Sequence, residues 1–134
     1  VNEKSKRFMG QQRQDIFNAL KTFGLSVYED EIAEDEEQEI INLDSYNFFT
    51  IVFGDFKPTD DKRKLIQTIA IAYFSENRDD VDEMSIDIIS HVSSVKTVTF
   101  TGTEKDRLQV KDMDRYVDRV TLLFRRMIPI DCTV

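Results

Sequence analysis

The sequence has one histidine, one cysteine, two prolines, four glycines and no tryptophan, and each shortage removes a class of chemistry. With only His91, no multi-histidine metal centre can be written, and the single Cys132 does not complete a conventional zinc site. No Gly-x-Ser-x-Gly turn is present to set a nucleophilic serine beside that histidine. Cys132 has no partner for an internal disulfide, so packing alone must hold the fold, which suits a reducing cytosol. Gly10, Gly24, Gly54 and Gly102 are scattered, and neither a dinucleotide fingerprint nor a phosphate-binding loop can be built from them. No run approaches the roughly 20 consecutive apolar residues of a membrane span. The charged opening Val-Asn-Glu-Lys-Ser-Lys-Arg leads into no apolar stretch of a secretion signal. The expectation is a protein with no cofactor, no metal, no membrane partner and no catalytic site.

What is present fits one domain over 1–134, since two halves of 134 residues would each be too small to bury a good core. Apolar residues make up 40% of the chain and charged residues 33%, a balance suited to a solvated globular surface. The net charge of -8 is unevenly placed. Glu29, Asp30, Glu31, Glu34, Asp35, Glu36, Glu37 and Glu39 stand together with no Lys or Arg among them. These eight equal the whole excess of 26 acidic over 18 basic residues. Like charges repel one another, so 26–46 is expected to be a long, mobile acidic loop. A calcium loop would alternate its ligands around a fixed glycine, and that pattern is absent.

Around this loop the periodicity predicts regular elements. Ile16, Leu20 and Phe23 recur at helical spacing within 3–23, and Gly24 supplies a stop. The aromatic and β-branched run 47–53 reads as a strand, as does 63–74 after the turn at Pro58. Leu65, Ile69, Ile71 and Tyr73 alternate with Ile66, Ala70, Ala72 and Phe74, so both faces of this strand are apolar. It should be central and covered on both sides, which one helical layer cannot do, and this points to a partner surface. A second helix is expected over 79–93, with its acids in the first turn and a stripe of Val81, Met84, Ile88 and Val92.

A strand over 95–101, a charged connection over 102–114 and a closing strand over 115–128 complete the pattern. In the closing strand Tyr116, Val120, Leu122, Phe124 and Ile128 are expected inward. Arg119, Arg125 and Arg126 are grouped as a candidate interface. The fold class is α+β in the order α-β-β-α-β-β, a mainly antiparallel sheet packed by two helices. The basic residues lack interleaved aromatics, and with a pI near 4.7 sequence-specific DNA binding is not expected.

This order, with a long connection after the first helix, resembles the tail-terminator or tail-to-head joining family of long-tailed phages, including those of Gram-positive hosts. The likeness is strongest from Gln67 to Val92, where a β-rich run ending Tyr73-Phe74 passes through a short polar turn into a helix with an acidic start. The closing segment Asp118-Arg-Val-Thr-Leu-Leu-Phe is similar in character to the family's last strand. The resemblance implies a structural virion protein that caps the tail tube as a six-membered ring and joins it to the head. Its partners would be further copies of itself, the tail-tube protein and a head-completion or stopper protein, with the free protein a monomer. DNA would only pass through the lumen, past an acidic loop facing that lumen or a partner. The site would be the virion's head–tail junction, reached from the host cytoplasm during assembly. Two alternatives stand beside it: another phage neck or head-completion component, and a non-phage α+β protein-binding module using the acidic loop.

Overall fold

The computed structural model describes residues 1–29, 46–109 and 115–130. In chain order these form α1 (Glu3–Lys21), β1 (Ser26–Glu29), β2 (Asn47–Pro58), β3 (Lys64–Ser75), α2 (Val81–Ser93), β4 (Val98–Gln109) and β5 (Tyr116–Pro129). The strands make one five-stranded sheet in the order β1-β2-β3-β5-β4. Only β1 and β2 run parallel; every other neighbouring pair is antiparallel. No described helix is long and apolar enough to cross a membrane.

The expected α+β class therefore holds, with β3 in the middle of the sheet. Ile16 and Leu20 of α1 and Ile88 and Val92 of α2 recur three to four residues apart, so each pair falls on one helix face. All four are completely buried. They pack on Phe49, Ile51, Ile69, Ile71, Tyr73, Val120, Leu122 and Phe124, which alternate onto one face of the sheet. In α2, Asp82 and Glu83 occupy the first turn, where the positive end of the helix dipole favours them. Helix α1 gives way at Thr22, and Gly24 takes φ 71°, a left-handed conformation that glycine enters without a Cβ clash.

Four expectations need correction. Residues 26–29, assigned to the acidic loop, form β1, because Val27 and Tyr28 pair with Phe49 and Thr50 of β2. The element order thus gains a strand after the first helix. Second, β4 runs through Gly102 to Gln109, so most of the expected connection 102–114 is strand; residues 110–114 lie outside the described residues. The pairing shifts register between Phe100 and Gly102 and then continues on charged partners, Asp106 opposite Arg119 and Arg107 opposite Asp118. Third, Tyr116 is half exposed at the start of β5, although it was expected inward.

The polar first half of α1 also joins the core. Ser5 and Gln12 are buried there. The Gln12 side-chain amide donates to the Lys96 carbonyl at 2.8 Å and to Thr97 Oγ1 at 2.6 Å. Fourth, β2 runs past the expected 47–53 through Pro58, by a register shift between Phe53 and Phe56. A Cβ on Gly54 would lie 2.3 Å from Thr68 Oγ1, so this irregular stretch fits glycine because the neighbouring strand comes so close.

Candidate assembly surfaces

Strand alternation decides where the three candidate arginines go. Arg119 and Arg125 lie opposite Phe74 and Thr68, while Arg126 lies opposite Gln67, one residue out of phase. The first two therefore share the sheet face turned away from both described helices, with Ala70, Ala72, Thr121 and Leu123 between them. That second face of β3 is apolar, as its sequence implied. Arg125 is exposed there, and Arg119 is held by Asp106, with Nε donating to Oδ1 at 2.9 Å.

Arg126 is on the helix face and only 4% exposed. Its Nε donates to Gln67 Oε1 at 2.9 Å, and Nη1 makes long contacts to the Met9 carbonyl at 3.3 Å and Gln12 Oε1 at 3.4 Å. The guanidinium stacks 4.7 Å from the Phe53 ring centre, and Arg13 stacks on the same ring at 5.3 Å. Burial, with the nearby Arg13 charge, pushes the Arg126 guanidinium down to about 10. Arg126 thus fastens the start of α1 to the sheet, and the candidate interface reduces to Arg119 and Arg125. The grouping failed because adjacent residues on a strand point to opposite faces.

Of the eight acidic residues singled out, Glu29 is described, at the end of β1. It accepts a hydrogen bond from Arg13, which holds its carboxyl below the usual range. Asp30, Glu31, Glu34, Asp35, Glu36, Glu37 and Glu39 lie outside the described residues. His91 is exposed near the end of α2, where Nδ1 lies 2.9 Å from the Asp87 carbonyl and the ring packs on Phe23.

The sheet has two ends with different electrostatics. At the upper end β2 and β5 begin and β3 stops, with Asn47 opposite Ser75 and Ser75 opposite Asp118. Cations and carboxylates are joined there as Arg78–Asp80, Lys105–Asp82, Arg107–Asp118, Arg115–Glu76 and Arg119–Asp106. Glu76 is the buried member. It takes the Tyr46 backbone N–H at 3.0 Å and two bonds from Arg115, whose guanidinium also lies 5.0 Å over the Tyr46 ring. Hydrogen bonding from Arg115 is the main reason the Glu76 carboxyl stays below its ordinary range. Beside it lies a cleft of about 320 Å³ lined by Glu76, Asn77, Arg78, Arg107, Arg115, Tyr116 and Asp118. Each of its arginines is joined to a carboxylate. It can take part in polar recognition, but it presents no activated nucleophile.

At the lower end β2 and β5 stop and β3 and β4 begin, with Pro58 opposite Leu65 and Lys64 opposite Pro129. Lys57, Arg63 and Lys64 lie on or beside the β2–β3 turn, and Lys96 and Arg125 sit where β4 starts and β5 runs out. Helix α1 begins at this end, because Met9 meets Arg126 and Gln12 meets Thr97, which brings Lys4, Lys6 and Arg7 alongside. None of these eight basic side chains has an ion pair among the described residues. The same end also holds Lys62 and the acids Glu3, Asp55, Asp60 and Asp61. This cationic end was missed because its residues come from four separate stretches of chain. Glu76 was missed for a related reason: nothing local marks it as buried. Gln67, a lone amide in the apolar run, was the one available hint of the Arg126 network.

Among the described residues, no three His, Cys, Asp or Glu side chains are grouped to hold a metal. No family model matches the chain, and no curated protein matches it.

Proposed function

We propose that this chain is a structural assembly protein that closes a phage tail tube as a ring of identical subunits and presents its other side to the head. The observation that carries the assembly reading is the sheet itself. Both described helices pack on one face, and the other face of the central β3 is apolar, with Arg125 exposed among Ala70, Leu123 and Met127. A surface of that mixed character suits burial against a neighbouring protein. A ring requires a heterologous contact, with different patches meeting, and the two unlike ends of the sheet offer such patches. An adaptor, expected to be helical, or a stopper, expected to be barrel-like, fits an open five-stranded sheet less well.

The test is direct. Purified protein is added to tubes polymerised from a long-tailed phage's tail-tube protein and viewed by electron microscopy. Rings confined to one tube end, with growth arrested, are the expected result. Tubes that lengthen unchanged with bare ends would reject the reading.

A further inference from the structure

A central strand with apolar residues on both faces is best served by a covering layer on each. Helices α1 and α2 supply one layer, over the face of Ile69, Ile71 and Tyr73. On the opposite face, register lines up Val52, Ala70 and Leu123 across β2, β3 and β5. Val52 is 42% exposed there, and Thr68 and Arg125 just below it are exposed as well. The charges that register places on this lower half, Lys57, Lys64 and Arg125, are all cationic and all exposed. Asp55 falls in the register shift of β2, at the rim. Helix α2 presents the complementary surface. Ile86 is turned about 200° round the helix from Ile88, which packs on the sheet, so it points outward. It is 66% exposed, the most of any large apolar side chain within a described helix or strand. Asp82, Glu83 and Ser90 are its neighbours one turn away, Asp87 adjoins it, and all four are exposed. An apolar knob among acids thus stands on one side of the subunit, and an apolar patch above cations on the other.

We propose that the outer face of α2, centred on Ile86, is the second covering layer: it packs on the free sheet face of a second copy of this chain. Ile86 enters the patch of Val52, Ala70 and Leu123, and the first turns of the helix, with Glu83 and Asp87, lie toward Arg125 and Lys57. The opposite charges select this orientation and oppose the reversed one. Farther along, Ser90 is small enough to let the helix approach the sheet closely. The sizes agree, since the 13 residues of α2 span about 20 Å and β3 from Ile66 to Phe74 runs about 26 Å. Because the two surfaces lie on opposite sides of one subunit, the contact is head-to-tail and can close into a ring. The inference rests on the ring reading above and names the two faces that meet.

The test uses two full-length variants, Ile86→Lys on the helix and Arg125→Glu on the sheet. In sedimentation velocity at low salt, wild type should associate as concentration rises, and each variant alone at least about tenfold more weakly. An equimolar mixture should form mixed pairs and nothing larger, because only the intact sheet face of the first variant and the intact helix of the second can meet. A wild type that stays monomeric would leave the free face to a different protein and overturn the proposal. Wild-type association by Ile86→Lys beside a monomeric Arg125→Glu would mean that two sheet faces pack on each other, and would overturn it too. A mixture that stays monomeric has the same consequence. If either variant lacks a cooperative thermal transition, Ile86→Ser or Arg125→Gln replaces it and the same weakening is required. Association through these faces without tube capping would keep this contact and sink the tail-cap reading. Tube capping by both variants as by wild type would do the opposite.

Discussion

At the upper end of the sheet Arg78, Lys105, Arg107, Arg115 and Arg119 each meet a carboxylate. At the lower end Lys57, Arg63, Lys64, Lys96 and Arg125 meet none among the described residues. Both ends are made of the same residue types, and what differs is how they are brought together. The upper pairs are set by register, as with Asp106 opposite Arg119, or by short local reach, as with Arg78 and Asp80. The lower cations come from a turn, a helix start and two strand ends, so no ladder supplies them with partners. Pairs that are satisfied within the fold contribute to its specificity. Charges left unsatisfied at one end cost little in water and remain available to another molecule.

The two ends also differ in which charge is buried, and this gives the largest expected effect. Arg126→Ala removes the one buried cation of the lower half among the described residues and leaves Gln67 and Gln12 without it. A loss of about 2–4 kcal/mol in urea unfolding is expected. Hydrogen exchange should show the amides of the first half of α1 opening more than those of its second half. Equal loosening of both halves would mean that Arg126 does not fasten the helix start.

On the upper side, Glu76→Gln keeps the shape but removes the charge that Arg115 and the Tyr46 N–H recognise; about 1–3 kcal/mol is expected. The pH response should separate the ends further. The folded Glu76 carboxyl lies below its unfolded value, so the unfolded chain binds the proton more readily. The stabilisation is then full above the unfolded value and is lost as pH falls through the folded one. Unfolding midpoints measured from neutral to acid pH should fall more steeply for wild type than for Glu76→Gln. Parallel curves would remove Glu76 from the acid response.

The smallest effects belong to the exposed charges. A double-mutant cycle on Asp106 and Arg119 should give about 0.2–1 kcal/mol, the range for solvent-facing pairs. Reversing Lys57, Arg63 and Lys64 together should move stability by no more than about 0.5 kcal/mol per site in thermal or urea unfolding. A large loss of stability from that triple change would show that the lower cations support the fold itself.

Local pattern carried much of this structure. The stripe of Val81, Met84, Ile88 and Val92 and the alternation through Ile69, Ile71 and Tyr73 identify their elements, because burial follows the helical and strand periods directly. β1 was hidden because its four residues adjoin the acidic run, and a parallel pair leaves no hairpin turn to read. The outer half of β4, Thr103–Gln109, is nearly all polar, and its strand state depends on partners in β5. Of the candidate surface, Arg119 and Arg125 are out of phase with the inward Val120, Leu122 and Phe124, so their outward direction was legible. Arg126 was misplaced by treating neighbours in sequence as neighbours in space.

By itself, then, the sequence determined the α+β class, the apolar faces, the scarcity of histidine and cysteine and the concentration of negative charge in one stretch. These depend on composition and on short periods that hold whatever the rest of the chain does. Only the tertiary structure decided that Arg126 is buried under α1, that Glu76 and Arg115 close on one another, and that scattered cations gather at the lower end. Those outcomes depend on distant segments meeting, as when Gln12 reaches Thr97 across 85 residues, and no local window contains that information.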